Sequence, residues 1–314
     1  PFLDTEGTRV VAWRPTMVLI DSFTQCWSTV EKESIENKGI DDSGSNTLAL
    51  KDANKKTMAT RYICQYASQY GIMVLSTAHF GQKQNLDPYA ANPKQLQWAS
   101  ANETPKRVGS LWTYLTNPLF LINSCTKLQD DQKQCKYRLG DTNPTDLSEL
   151  LVSIQRSKGN ASGITHPVVV SQDNGFLSEV TDYSYLRNVG KGFSMTGNNV
   201  THQPFGLPDV NLTRNTFRGI CQEDKRVTRA LQLGAQWLYI QNNWNAAGWL
   251  FPMKVDPKAL VDRLMSDKDK YSIDRVLNSR SYWLPDELMT KDTPEYMSIL
   301  DILEFFSKSG VLKK

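Results

Sequence analysis

Apolar residues along this chain fall into short runs parted by long polar stretches, and their spacing changes from one segment to the next. "MVLI" (Met17–Ile20) runs without a polar break into Asp21 and Ser22, the pattern of a strand buried on both faces. Ahead of it, "PFLDTEGTRVVA" sets the turn residues Asp4, Thr5, Glu6 and Gly7 between short apolar pieces and predicts a hairpin or arm. Behind it, "STVEKESIENKGIDDSGSN" is acidic and contains Gly39 and Gly44, which predicts a mobile loop. From Thr47 to Tyr70 the spacing turns helical through Leu50, Ala53, Met58, Tyr62 and Tyr66. Gly71 closes that helix, and "IMVLST" predicts a second buried strand. A second polar loop follows over 81–107. "PLFLINS", "CKYRLG", "ELLVSIQRSK" and "THPVVVS" predict further strands.

Near Val200 the character changes. "LPDVNLTRNTFRGICQEDKRVTRALQLGAQWLYIQ" predicts two helices behind Pro208 and Asp209, and the segments "DPKALVDRLMSDKDKYSIDRVLN" and "TPEYMSILDILEFFSKSG" add more. The Gly/Asn-rich "NVGKGFSMTGNN" marks a domain boundary near residues 190–205. Composition narrows the classes: 314 residues can bury a sizeable core, and a net charge of +3 is too small to imply an acidic partner by itself. Five cysteines without a CxxC pair predict reduced thiols in a cytosol-like compartment. Three scattered histidines argue against a zinc site, and no apolar run approaches membrane-spanning length.

Three places carry candidate chemistry. A carboxylate delivered by a buried strand, as at Asp21, can hold the water shell of Mg²⁺, with Ser22 assisting; the plainer alternative is a strand end capping its own turn. "VLSTAHFGQKQ" ends a strand in Ser76 and Thr77, then reaches His79 just before a Gln/Lys-bearing loop. That arrangement suits a phosphate sensor, whereas a lone histidine commonly just satisfies a hydrogen bond. In "VSIQRSKGNASG", Arg156 and Lys158 lie two apart and share one side of an extended chain. They could grip a phosphate, or form a solvated strand end.

Taken in order, these elements resemble the RecA family, most closely the phage strand-exchange recombinases of the UvsX type. "VLIDSFTQCWS" is similar to that family's Walker B strand, "DANKKTMATRYICQYASQYGIMVLSTAHF" to its helix–strand run into a polar sensor, and "QRSKGNASGITHPVVV" to the segment that reaches a neighbouring protomer's ATP. The resemblance covers roughly residues 10–190. It implies an α/β RecA-like core (a central mixed, largely parallel sheet flanked by helices) over 1–195, incomplete at its N-terminus, with a mainly helical C-terminal domain over 196–314. Asp21 would organise Mg²⁺ through water and, with Ser22, face ATP. His79 would sense the γ-phosphate, and Arg156 and Lys158 would act in trans. The stretch from Gly39 to Asn46 matches the family's first DNA loop, although it is acidic. The second DNA loop corresponds to Gln82–Arg107, where Lys83, Lys94, Lys106 and Arg107 could contact phosphates and Tyr89 and Trp98 could stack on bases. The implied partners are single-stranded DNA, duplex DNA secondarily, and further copies of the chain in an oligomer or filament.

The pattern GxxxxGK[ST] occurs nowhere in these residues. "NVGKGF" fails the spacing, and Asp21 follows Glu6 by only fifteen positions, which leaves no room for the crossover a parallel strand needs. Glu6 is therefore expected in a hairpin turn. The expectation is the back half of a recombinase core, inactive alone, binding ATP and Mg²⁺ only when a separate chain supplies the phosphate loop. Such a half-core leaves an unpaired sheet edge and exposed apolar surface. Two alternatives stand beside it: a non-hydrolysing RecA-like protein that binds DNA or a partner, and a replicative helicase-like core. In the C-terminal region, Arg214, Arg218, Lys225, Arg226 and Arg229 form either a solvated helix face or a gateway for duplex DNA, with Arg226 and Arg229 as its contacts.

Overall fold

The computed structural model describes residues 2–3, 9–10, 16–26, 29, 32, 36, 45–82, 103–105, 110–140, 143–157, 163–190, 192–196, 199–244, 257–269, 271–282, 284 and 288–308. They form a mixed α/β protein. Two compact units divide it, one of Pro1–Leu121 with Ile154–Ile164 and one of Ile122–Ser153 with Thr165–Lys314. The division falls elsewhere than the boundary expected near 190–205. There, instead of a linker, β11 (Phe193–Thr196) and β12 (Asn199–His202) pair antiparallel.

In the first unit, β1 (Phe2–Leu3) and β2 (Arg9–Val10) pair antiparallel, the geometry of the expected N-terminal hairpin. β3 (Thr16–Ile20) lies parallel to β4 (Ile72–Ser76), in register from Thr16 against Ile72 to Ile20 against Ser76. Helix α1 (Ser45–Tyr70) is the crossover between them, and Gly71 ends it at φ 63°, where a side chain would be strained. β3 and β4 are not buried as their apolar runs predict. Met17, Leu19 and Met73 are 61, 64 and 54% exposed, because among the described residues these two strands have only each other as sheet neighbours. A small core of Phe23, Trp112 and Leu119, with Ile20, Ile63 and Ala78 against it, holds this unit together. Trp112 comes from the short α2 (Ser110–Leu115). β5 (Phe80–Gln82) and β6 (Glu103–Pro105) form a separate antiparallel pair.

The four-stranded sheet, most of whose residues belong to the second unit, is antiparallel, which corrects the expectation of a largely parallel one. Its order is β10-β9-β8-β7, from β7 (Leu119–Lys127), β8 (Leu147–Arg156), β9 (Thr165–Ser171) and β10 (Gly175–Phe176). "CKYRLG" is not a strand; apart from a single bridge between Gln129 and Cys135, it follows bends. Buried Asp146 pins the turn after β9 by accepting from Ser171 Oγ at 2.7 Å and the Gln172 N–H at 2.8 Å. Helix α3 (Ser178–Val189) packs on β9 and closes at Gly190, φ 71°. Beyond it lie α4 (Phe217–Glu223), α5 (Lys225–Trp244), α6 (Pro257–Ser266), α7 (Ile273–Leu277) and α8 (Ile299–Lys308).

Helix α5 is the spine of this unit. Leu231 and Leu238 enter one core with Tyr137, Tyr183 and Phe217, while Leu233 and Trp237 enter a second with Leu260, Leu264 and Ile302. Tyr183 stacks on Phe217 at 4.1 Å between ring centres, and Trp237 is only 3% exposed. All five cysteines are free thiols. Among the described residues, no helix is long and apolar enough to cross a membrane.

Candidate functional site

Because β3 and β4 are parallel and end in register, the chain leaves both strands at the same edge, the side on which open α/β sheets take ligands. The two exits are tied together by backbone. The Thr77 N–H donates to the Ile20 carbonyl at 3.0 Å, and the Phe23 N–H donates to the Thr77 carbonyl at 2.8 Å. Side chains add to this. Thr77 Oγ1 donates to Asp21 Oδ1 at 2.5 Å, and the His79 N–H donates to Thr24 Oγ1 at 2.9 Å. Trp112 Nε1 donates to Ser76 Oγ at 3.2 Å, fixing the strand end from below.

Asp21, Thr77 and His79 face solvent, whereas Ser22 is buried and its Oγ has no hydrogen-bond partner among the described residues. The Ser22 hydroxyl is enclosed, so a ligand oxygen meets the exposed Asp21 carboxylate and reaches that hydroxyl only if the strand exit opens. The peptide bond between Asp21 and Ser22 is cis. A carboxylate oriented by a hydroxyl and open to water suits Mg²⁺, which keeps most of its water shell and takes one or two carboxylates. The donor set present at this edge thus fits a water-mediated Mg²⁺ ion; amides and a lysine for cradling phosphates would have to come from elsewhere.

His79 sits one residue before β5, so the candidate sensor runs straight into a stem. β5 and β6 pair Phe80 with Pro105, Gly81 with Thr104 and Gln82 with Glu103. The basic, aromatic stretch between them therefore leaves and returns at one point. The sequence pattern did not reveal this stem, since "FGQ" and "ETP" carry no strand-like run. Lys83, Tyr89, Lys94, Trp98, Lys106 and Arg107 lie outside the described residues, as do Lys158 and most of the Gly39–Asn46 stretch.

Arg156 is already engaged. Its Nη1 donates to the carbonyls of Thr113, at 3.1 Å, and Tyr114, and its guanidinium lies over the Tyr114 ring at 5.6 Å. These are the last carbonyls of α2, where a cation is favoured by the helix dipole. Both bonds use Nη1, so they anchor one end of the guanidinium.

The basic C-terminal patch needs correcting at Arg229. This residue is only 5% exposed, donates to Gln232 Oε1 at 2.7 Å, Ser279 Oγ at 3.2 Å and the Met297 carbonyl, and burial lowers its pKa to about 10. It ties α5 to the chain around Ser279 and Met297 and is not on the surface. Arg218 is likewise buried and donates to the Tyr137 carbonyl. Arg226 remains part-exposed, 3.6 Å from Asp274. Apolar spacing could not reveal this, because arginine reads as polar wherever it lies.

No known protein-family model matches the chain, and no curated protein sequence is similar to it.

Proposed function

We propose that the first unit is the Walker B side of a RecA-like, DNA-dependent nucleotide site, and that the chain acts as a phage-type recombinase pairing homologous strands on single-stranded DNA. The observation that carries this reading is the parallel β3–α1–β4 unit, whose exits join Asp21 to Thr77 and lead within three residues into the β5–β6 stem. In this reading Asp21 holds the water shell of Mg²⁺, and Ser22 Oγ, enclosed here, would turn toward a phosphate only as the strand exit opens. Mg²⁺, when bound, neutralises phosphate charge. Thr77 fixes the rotamer of the Asp21 carboxylate, and His79 passes the state of the site to the loop. The phosphate loop comes from polypeptide outside residues 1–314, joined to this chain or carried by a partner. The exposed apolar strands Met17–Leu19 and Met73–Leu75 offer a surface for that polypeptide.

A second reading, a RecA-like protein that binds DNA without hydrolysis, is favoured by one observation. One nitrogen of the Arg156 guanidinium is held by α2 carbonyls of the same unit, which draws the side chain toward its own chain. Both readings require the loop on the β5–β6 stem to bind DNA, so that is tested first. Single-stranded DNA should bind with a steep salt dependence. Replacing Lys83, Lys94, Lys106 and Arg107 together by Ala should lower the slope of log K against log salt by about 3, near 0.7 per phosphate contact. Fluorescence anisotropy with a labelled oligonucleotide reads this; an unchanged slope removes the loop from the interface.

A further inference from the structure

The second unit contains a cavity of about 350 Å³, within the range used for small ligands and independent of the nucleotide reading. Its walls come from β9, α3, α5 and the start of α8, with Pro167, Val168, Ile240 and Ile299 supplying apolar surface. Tyr185, Tyr239 and His166 add rings; the Tyr239 hydroxyl lies 3.4 Å from His166 Nε2, and those two rings are 5.0 Å apart. One carboxylate, that of Asp182, joins this lining, which carries no Lys or Arg.

Among the described residues, the part-buried Asp182 carboxylate takes part in no hydrogen bond or ion pair, and its oxygens are not enclosed. Burial, reinforced by Glu179, raises its pKa to about 7. Burial also lowers the pKa of His166, so that ring supplies no compensating charge at neutral pH. The cavity therefore has one negative charge to satisfy and aromatic faces that attract cations. A hard metal ion does not suit it, since Mg²⁺ and Ca²⁺ need six or more oxygen ligands.

We propose that this cavity binds a small organic ammonium, its charge at Asp182 and its apolar body against Tyr185, Tyr239 and Ile240. The test titrates the protein at about pH 8 with phenethylammonium and, separately, with its neutral near-isostere 2-phenylethanol. Methyl resonances of Ile240 and Ile299 are followed by NMR. The amine should shift both methyls and bind about tenfold or more tightly than the alcohol. Asp182→Asn should weaken the amine about tenfold and leave the alcohol unchanged, and Tyr239→Leu should weaken the amine several-fold. Equal binding of the two compounds by the native protein overturns the proposal without any variant. So does amine binding that survives Asp182→Asn, or the absence of methyl shifts at millimolar amine.

Discussion

Met17, Leu19 and Met73 of the first unit stay more than half exposed on two parallel strands, while Leu231, Leu233, Leu260 and Leu264 of the second are fully buried. The two sets are chemically alike; what differs is the number of elements available to cover them. Among the described residues β3 and β4 have no other strand beside them, whereas a parallel pair in proteins is almost always covered on both faces. The second unit instead wraps α5 with sheet, hairpin and helices, and even its arginines at 218 and 229 are drawn inside. The first unit thus concentrates exposed polar groups at one strand edge, and the second concentrates packing.

That contrast can be broken most sharply in the core. Leu231→Ala should cost about 2–5 kcal/mol in denaturant unfolding, because the methyls it removes leave a cavity. Next in size is a pH effect. The folded-state pKa of Asp182, about 7, lies above the unfolded carboxyl value of 3.8, so the folded state binds more protons between them and stability falls as pH rises through that window. Asp182→Asn should therefore match the native protein below about pH 4 and exceed it, on the order of 3 kcal/mol, by about pH 8. Thermal or denaturant unfolding across pH measures this; parallel curves for the two proteins would remove the buried charge.

Arg229→Ala should cost about 1.5–3 kcal/mol by removing the donor to the Met297 carbonyl and its bonds to Ser279 and Gln232, and chemical denaturation of this variant reads it directly. The smallest effect is expected in the first unit. Leu19→Ala, at an exposed strand position, should change stability by less than about 1 kcal/mol. A loss as large as that of Leu231 would show that β3 is covered in solution, and a concentration-dependent loss would identify the cover as a second molecule.

The sequence pattern made the α1 helix, its glycine stop, the strands β3, β4, β7, β8 and β9 and the late helices legible, since each carries a run or period of its own. It also brought Asp21, Ser22 and His79 forward. It could not yield the bond from Thr77 to Asp21 or from His79 to Thr24, because register between parallel strands sets those pairings across more than fifty residues. The β5–β6 stem was hidden for a related reason: three-residue strands carry no periodicity. Asp182 was equally invisible: Glu179 is its neighbour on the same helix, but the walls that bury it come from β9, α5 and α8. Burial was misjudged at Met17–Ile20, where an apolar run reports what a strand can bury and not whether neighbours are present to bury it.

The central claim is that Asp21 and Thr77 form one side of a DNA-coupled nucleotide site. It is tested most directly by ATP hydrolysis, measured with and without single-stranded DNA, with this chain joined to or mixed with a RecA-like polypeptide bearing GxxxxGK[ST]. DNA-stimulated turnover that is lost in Asp21→Ala and reduced in Thr77→Val is the predicted result. Absence of turnover while DNA binding stays intact, or turnover indifferent to Asp21→Ala, would contradict it.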